Sequence, residues 1–175
     1  MEWWKNIAPS VCVLAISLLE AGPALSDRSA IGDPSLRQFL ESFEEGTRRF
    51  INGDPALWME NVSRRDDVMI MGAWGAHERG WPDVQARYAW AGARFRDSGA
   101  KLTVDYLTSF QSGDLAFTTT IERSEVKVAG QEKAAPMALR VTHVFRKEDG
   151  AWKLILRHAD PLVAKTSAES VLEKR

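Results

Sequence analysis

The sequence predicts an α+β domain in which three N-terminal helices cover a curved antiparallel or mixed sheet that bends into a cone. Three observations carry this reading. From Asp33 to Ser98, apolar residues recur at helical spacing, whereas from Leu102 onward they alternate with polar ones, the period of strands. Between Ala138 and Pro161, Glu148-Asp149-Gly150 separates two such alternating runs, which marks a hairpin. Seven tryptophans in 175 residues offer much large aromatic surface, to a core or to a ligand pocket.

The N-terminus is of a different kind. A short start with Glu2 and Lys5 leads into the apolar run Ile7–Leu19, then Gly22-Pro23, and Ala24-Leu25-Ser26 before Asp27. Residues 1–26 therefore read as a secretory signal with an A-x-S cleavage site. The run is shorter than the about 20 residues of a spanning helix, so no stable membrane insertion is expected once it is removed. The expected location is periplasmic or secreted. Glu2 and Glu20 fit a signal poorly, and with an uncleaved, merely amphipathic or disordered N-terminus the location is cytoplasmic. Cys12 is the only cysteine, and cleavage would leave no thiol or disulfide chemistry.

The remainder is one domain at residues 33–163, between a polar lead-in at 27–32 and a polar tail at 164–175. Asp33-Pro34 starts the first helix, Asp as N-cap and Pro at the first turn. Leu36, Phe39, Leu40, Phe43, Phe50 and Ile51 share one face, and Asn52-Gly53 ends it. Asp54-Pro55 opens a short second helix with Leu57, Trp58 and Val62. Residues 67–72 form a short strand, and Gly72 to Gly80 a loop or second short hairpin. Trp81-Pro82-Asp83 opens a third helix carrying Val84, Tyr88, Ala91 and Phe95 on one face, with its stop at Ser98-Gly99. Leu102 to Phe110, Leu115 to Val128 and the two arms of the hairpin are four long strands. A sheet this long and twisted, capped by a long helix, curls around a hollow that suits a ligand.

This order of elements resembles the SnoaL-like branch of the nuclear-transport-factor-two-like superfamily over roughly residues 33–163. The strand Arg140-Val-Thr-His-Val-Phe-Arg146, the turn Lys147-Glu-Asp-Gly-Ala-Trp152 and the ending Arg157-His-Ala-Asp-Pro161 carry the likeness, with Ile121 to Glu125 and Gly72 to Gly75. The resemblance implies a cone-shaped α+β fold, commonly dimeric, here through the outer face of the sheet. It says little about activity, because the superfamily includes ketosteroid isomerase, polyketide cyclases, scytalone dehydratase, limonene epoxide hydrolase and the association domain of a calmodulin-dependent kinase. No Asp aligns with the isomerase's base, and the epoxide hydrolase's Asp-Arg-Asp set cannot be assembled. A dehydratase-like site would need both His143 and His158 to face inward.

Which residues face the hollow depends on the register of the hairpin. A two-residue Asp149-Gly150 turn pairs Glu148 with Ala151 and puts His143 and His158 on one apolar face. A three-residue turn with a Gly bulge pairs Lys147 with Ala151, sets His143 beside Ile155, and brings Arg157 to the His143 face opposite Val141. Likeness to the kinase association domain, whose matching basic residues face one cavity, favours the bulged turn, and we expect it here.

The candidate catalytic residues are His143, whose imidazole titrates near neutrality, and Glu122, a carboxylate in a Thr-rich strand. Arg157, flanked by apolar residues, is costly to bury unpaired; it binds either a carboxylate or enolate of a ligand, or Glu122 or Glu125 internally. Trp58, Trp74 and Tyr88 are expected to cover the mouth of the cone as ligand-binding aromatics. Each of these residues has an ordinary role open to it as well, in the core or in a salt bridge. The three scattered histidines make no metal site, and His77-Glu78-Arg79 lacks the second His of a zinc motif. No phosphate loop or nucleophile elbow is present, so no cofactor is expected. A net charge of −1 without a basic block argues against nucleic acid as a partner. The function expected is binding of a small organic molecule, with isomerase, dehydratase or hydrolase chemistry on it, or alternatively a non-catalytic ligand-binding or association module.

Overall fold

The computed structural model describes residues 31–172; the segment 1–26, expected to be a secretory signal, and its expected cleavage site lie outside them. Helix α1 spans Pro34–Phe50, and the Asp33 carboxylate accepts the Ser35 backbone N–H at 2.7 Å as its N-cap. Its buried face is Leu36, Leu40, Phe43 and Thr47, and Gly53 beyond its end takes positive φ. Helix α2 (Ala56–Glu60) follows at once, with Asp54 accepting from Ala56 N–H. Gly46 lets the two helices touch: a Cβ there would lie 3.2 Å from the Trp58 backbone nitrogen. This close approach seats the Trp58 indole against Phe43 and Phe50, with ring centroids 4.6 and 5.6 Å away.

Strands β1 (Met69–Met71) and β2 (His77–Arg79) form the short hairpin, and α3 (Trp81–Gly92) follows. The third helix stops earlier than its apolar spacing predicts. Phe95 does not continue it but leaves the helix for β3 (Phe95–Arg96), which pairs with Lys127 and Val128. Backbone pairing with an existing strand satisfies these groups as a further helical turn would, and Phe95 stays buried either way. The four long strands are β4 (Leu102–Ser112), β5 (Leu115–Val128), β6 (Ala135–Glu148) and β7 (Ala151–Pro161). The sheet runs β2-β1-β7-β6-β5, and both β3 and β4 pair with β5 at its far side. It is mixed because β1 runs parallel to β7.

The hairpin differs from the expected register. Asp149 and Gly150 have φ of 51° and 85°, and Glu148 pairs with Ala151, so the turn is the two-residue kind. The extra residue sits farther down β7. Phe145 pairs with Leu154 but Val144 with Leu156, leaving Ile155 as a bulge. Beyond it His143 pairs with Arg157, and Val141 with Ala159. Arg157 thus shares the His143 face, and His158 and Asp160 go to the other. The face assignment expected from a bulged turn is reached by a bulge six residues from the tip, because an odd insertion anywhere between turn and Arg157 swaps the faces.

A second bulge at Leu107 breaks β4, where Tyr106 pairs with Thr120 and Thr108 with Thr119. The apolar alternation from Leu102 to Phe110 therefore does not stay on one face: Tyr106 is buried, but Phe110 is 56% exposed. The two bulges flank the middle of β5 and β6, where added bend and twist curl the sheet around a hollow. The concave face packs on α1 and α2 through Phe39, Phe43, Trp58, Phe145, Trp152 and Leu154. On the convex face, register aligns Met69, Leu156, Val144, Phe117 and Phe110 in one apolar row across five strands.

Candidate functional site

The hollow of the cone is a cavity of about 510 Å³ walled mostly by apolar side chains from all three helices and from β5, β6 and β7. Glu122 and Arg157 lie at its inner end. Glu122 comes from the middle of β5, where Thr118, Thr120 and Glu122 alternate inward. Arg157 comes from β7 just past the Ile155 bulge, so the bulge is what aims it inward. The Arg157 Nη2 donates to Glu122 Oε2 at 2.8 Å. Glu122 is 4% exposed and Arg157 9%. The guanidinium also lies 5.6 Å from the Trp58 ring centre, a cation–π distance. Glu122 accepts the one hydrogen bond that Arg157 donates among the described residues, which leaves further donors of the fork unused, and both residues line the cavity.

Burial pushes the Glu122 carboxyl up from its ordinary range, and Arg157 holds it partly back; Glu44 adds a smaller upward push. His143 behaves oppositely. Burial, then the Arg157 charge, holds its imidazole well below the ordinary value, so it is neutral near pH 7. Its Nε2 stands 3.7 Å from Glu122 Oε1, too far for a hydrogen bond, and with a neutral ring the approach is not an ion pair. His143 does not line the main cavity. It lies behind Glu122, edge-on to Phe43 at 4.9 Å, beside a small internal space of about 10 Å³.

Five of the six residues singled out in the sequence line the cavity: Glu122, Arg157, Trp58, Tyr88 and Trp74. Their depths differ. Trp58 and Tyr88 are buried in its wall, with ring centres 5.5 Å apart, whereas Trp74 is 48% exposed at the rim. Burial drives the Tyr88 hydroxyl far up, so it stays protonated. Trp74 owes its place to the turn after β1, where Gly75 and Ala76 take positive φ.

Sequence reasoning missed Glu44, which reaches from α1 to the Tyr106 hydroxyl at 2.6 Å. A charged residue on the flank of a helical apolar stripe, with a tyrosine on the edge strand, gave no sequence signal. Arg87 and Lys133, on the cavity wall, were also missed. No group of His, Cys, Asp or Glu among the described residues could hold a metal ion. No described helix is long and apolar enough to cross a membrane.

Comparison with known proteins bears on this geometry. The family model of the SnoaL-like domain matches residues 40–163. A ketosteroid isomerase-like protein from Erwinia carotovora atroseptica superposes with a TM-score of 0.62 at 14% identity, covering 74% of this chain and 95% of that one. A nuclear transport factor 2-like superfamily protein from Salmonella enterica gives a TM-score of 0.61 at 17% identity, covering 77% and 98%. A protein of that superfamily from Pseudomonas putida, of unknown function, gives 0.58 at 21%, covering 77% and 87%. At such identities the likeness shows the fold. None of the curated proteins matches the chain.

Proposed function

The chain belongs to the SnoaL-like domain family of the nuclear transport factor 2-like superfamily, and we propose that its cone binds a small, largely apolar organic molecule through an oxygen placed at Arg157. The carrying observation is the Glu122–Arg157 pair at 2.8 Å inside a cavity of about 510 Å³ whose walls are otherwise mostly apolar. Apolar walls reward a molecule of that size, and the one polar end fixes its orientation. Arg157 keeps donors for a carbonyl or carboxylate oxygen.

On this reading Glu122 is the group that moves protons. A carboxyl raised by burial holds a proton nearer neutrality than a surface carboxylate does, which suits a general acid or base. With a carbonyl compound bound, Glu122 takes a proton from the carbon beside the carbonyl while Arg157 steadies the oxygen that gains charge. Isomerisation, dehydration and hydrolysis are the reaction classes open to this pair. His143 acts through Glu122 rather than on the ligand, as a neutral wall behind the carboxylate. A second reading, a holding module without chemistry, draws support from the same hydrogen bond, because Arg157 occupies Glu122 Oε2.

Mass spectrometry of organic extracts of the purified protein tests the binding claim. A compound should accompany wild type and Glu122→Gln, and be lost when Met137→Trp fills the cavity wall. Extracts no richer than those of an unrelated protein purified in parallel would defeat it. If the compound bound to Glu122→Gln is the chemical precursor of that bound to wild type, Glu122 is catalytic; identical compounds favour the holding module.

The partner we propose for the convex face is a second copy of this chain, with the row Met69, Leu156, Val144, Phe117 and Phe110 at its centre. We further propose export to the periplasm or medium, with cleavage after Ser26; N-terminal sequencing of exported material starting at Asp27 would support it, and an intact Met1 would end it.

A further inference from the structure

Resting on the binding reading above, we propose that the ligand is an amphipathic organic anion, its apolar body inside the cone and its charged group held at the mouth by Lys133 and Arg87 beside the Trp74 indole.

The chain carries a net charge of −1, yet the cavity has the opposite sign. Its charged lining residues are Arg87, Lys133, Arg157 and Glu122. Glu122 and Arg157 offset each other at 2.8 Å. Lys133, on the loop between β5 and β6, has no ion-pair partner among the described residues. Arg87 faces Glu78 at 3.6 Å, but that carboxylate stands outside the lining. A cleft lined by one sign of charge and walled by low-dielectric side chains concentrates ions of the other sign.

The mouth is also built to hold a flat or apolar group next to that charge. Arg87 Nη2 donates to the Gly75 carbonyl at 2.5 Å, which ties its guanidinium to the turn bearing Trp74. Trp74 rests on Phe95 at 5.3 Å and meets Trp90 edge-on at 5.6 Å. Trp90 is held between Arg87 and Arg94, whose guanidinium carbons lie 4.6 and 3.4 Å from its ring centre. Trp74, Arg87 and Lys133 thus line one opening, and Trp90 and Arg94 stand outside that lining, where Trp90 braces Trp74 and Arg87. A neutral apolar ligand would use the indole and neither of the cations.

The test compares two probes that share an aromatic body, the anion 1-anilinonaphthalene-8-sulfonate and the uncharged N-phenyl-1-naphthylamine, by fluorescence titration of the full chain. Wild type should bind the sulfonate about tenfold more tightly at low salt, a preference that shrinks as salt screens it. Lys133→Gln, at an exposed position that the fold does not need, should lower sulfonate affinity about fivefold and leave the amine unchanged. Arg87→Gln should act in the same direction. Equal binding of both probes, with Lys133→Gln silent, would overturn the proposal while leaving the cavity reading intact. A sulfonate preference abolished by Arg157→Met but untouched by Lys133→Gln would overturn it too, placing the charge at the inner end. Binding of both probes undiminished by Met137→Trp would instead defeat the cavity reading itself.

Discussion

Replacing Arg157 by Met should destabilise the protein strongly, and more at neutral than at acidic pH. The guanidinium is 9% exposed, and its bond to Glu122 is 2.8 Å long. Met keeps most of the aliphatic stem, so little volume is lost. What is lost is the charge that allows Glu122 to sit ionised at 4% exposure. Removing one member of a buried pair costs about 3–5 kcal/mol, because the other charge stays behind without compensation. In a domain of this size that equals a fall of about 6–20 °C in melting temperature. The stranded carboxyl can escape by taking a proton, so the loss should shrink as pH falls. Glu122→Gln combined with Arg157→Met leaves no buried charge and should recover most of the stability. Urea denaturation of wild type, both single variants and the double, at about pH 7.5 and about pH 5.5, reads these terms. An Arg157→Met protein within about 0.5 kcal/mol of wild type, or a double variant no better than the single, would show that Arg157 does not compensate a buried Glu122 charge.

Other expectations follow from the same geometry. His143 is held neutral by burial, below its unfolded value, so its contribution is fully present above about pH 6.5 and is lost as pH falls through that value toward the folded one. His143→Gln should flatten this acid-side loss, whose slope is at most about 1.4 kcal/mol per pH unit, as denaturation midpoints across pH would read. Glu122 is raised, so its charge weighs against the fold as pH climbs above its ordinary range; Glu122→Gln should gain stability relative to wild type on going from mildly acidic to neutral pH. Phe145, fully buried against Phe39 and Phe43, should cost about 3–5 kcal/mol on truncation to Ala, again by urea denaturation. If the convex face joins two copies, Phe110→Glu should shift sedimentation from dimer to monomer without lowering the melting temperature of the monomer; an unchanged species would remove that face as the interface.

Most of the fold was legible because its signals are local. Asp33-Pro34 and Asp54-Pro55 start their helices, and Asp149-Gly150 turns the hairpin, through backbone preferences that need no tertiary context. The bulges were not legible. Ile155 and Leu107 are ordinary strand residues, and what makes each an extra one is its register against a neighbouring strand. That is also why Arg157 was placed on the right face by the wrong turn. Phe95 fits the spacing of the third helix equally well as helix or strand, and only the free edge of β5 decides it. In the site, Arg157 stood out because a charge in an apolar strand is costly alone, and Glu122 because it is a carboxylate in a Thr-rich strand. His143 stood out as an imidazole that titrates near neutrality, but its depth behind Glu122 depends on Phe43 from a distant helix. Glu44, Arg87 and Lys133 look like surface residues, and their positions follow from the curl of the sheet.

The most direct measurement is a crystal structure of the protein carrying its co-purified compound. The proposed binding mode requires density inside the cone, against Trp58 and Tyr88, with a ligand oxygen about 3 Å from the Arg157 guanidinium. A compound lodged on the convex face, or one inside the cone that presents only apolar atoms to Arg157 and Glu122, would contradict it.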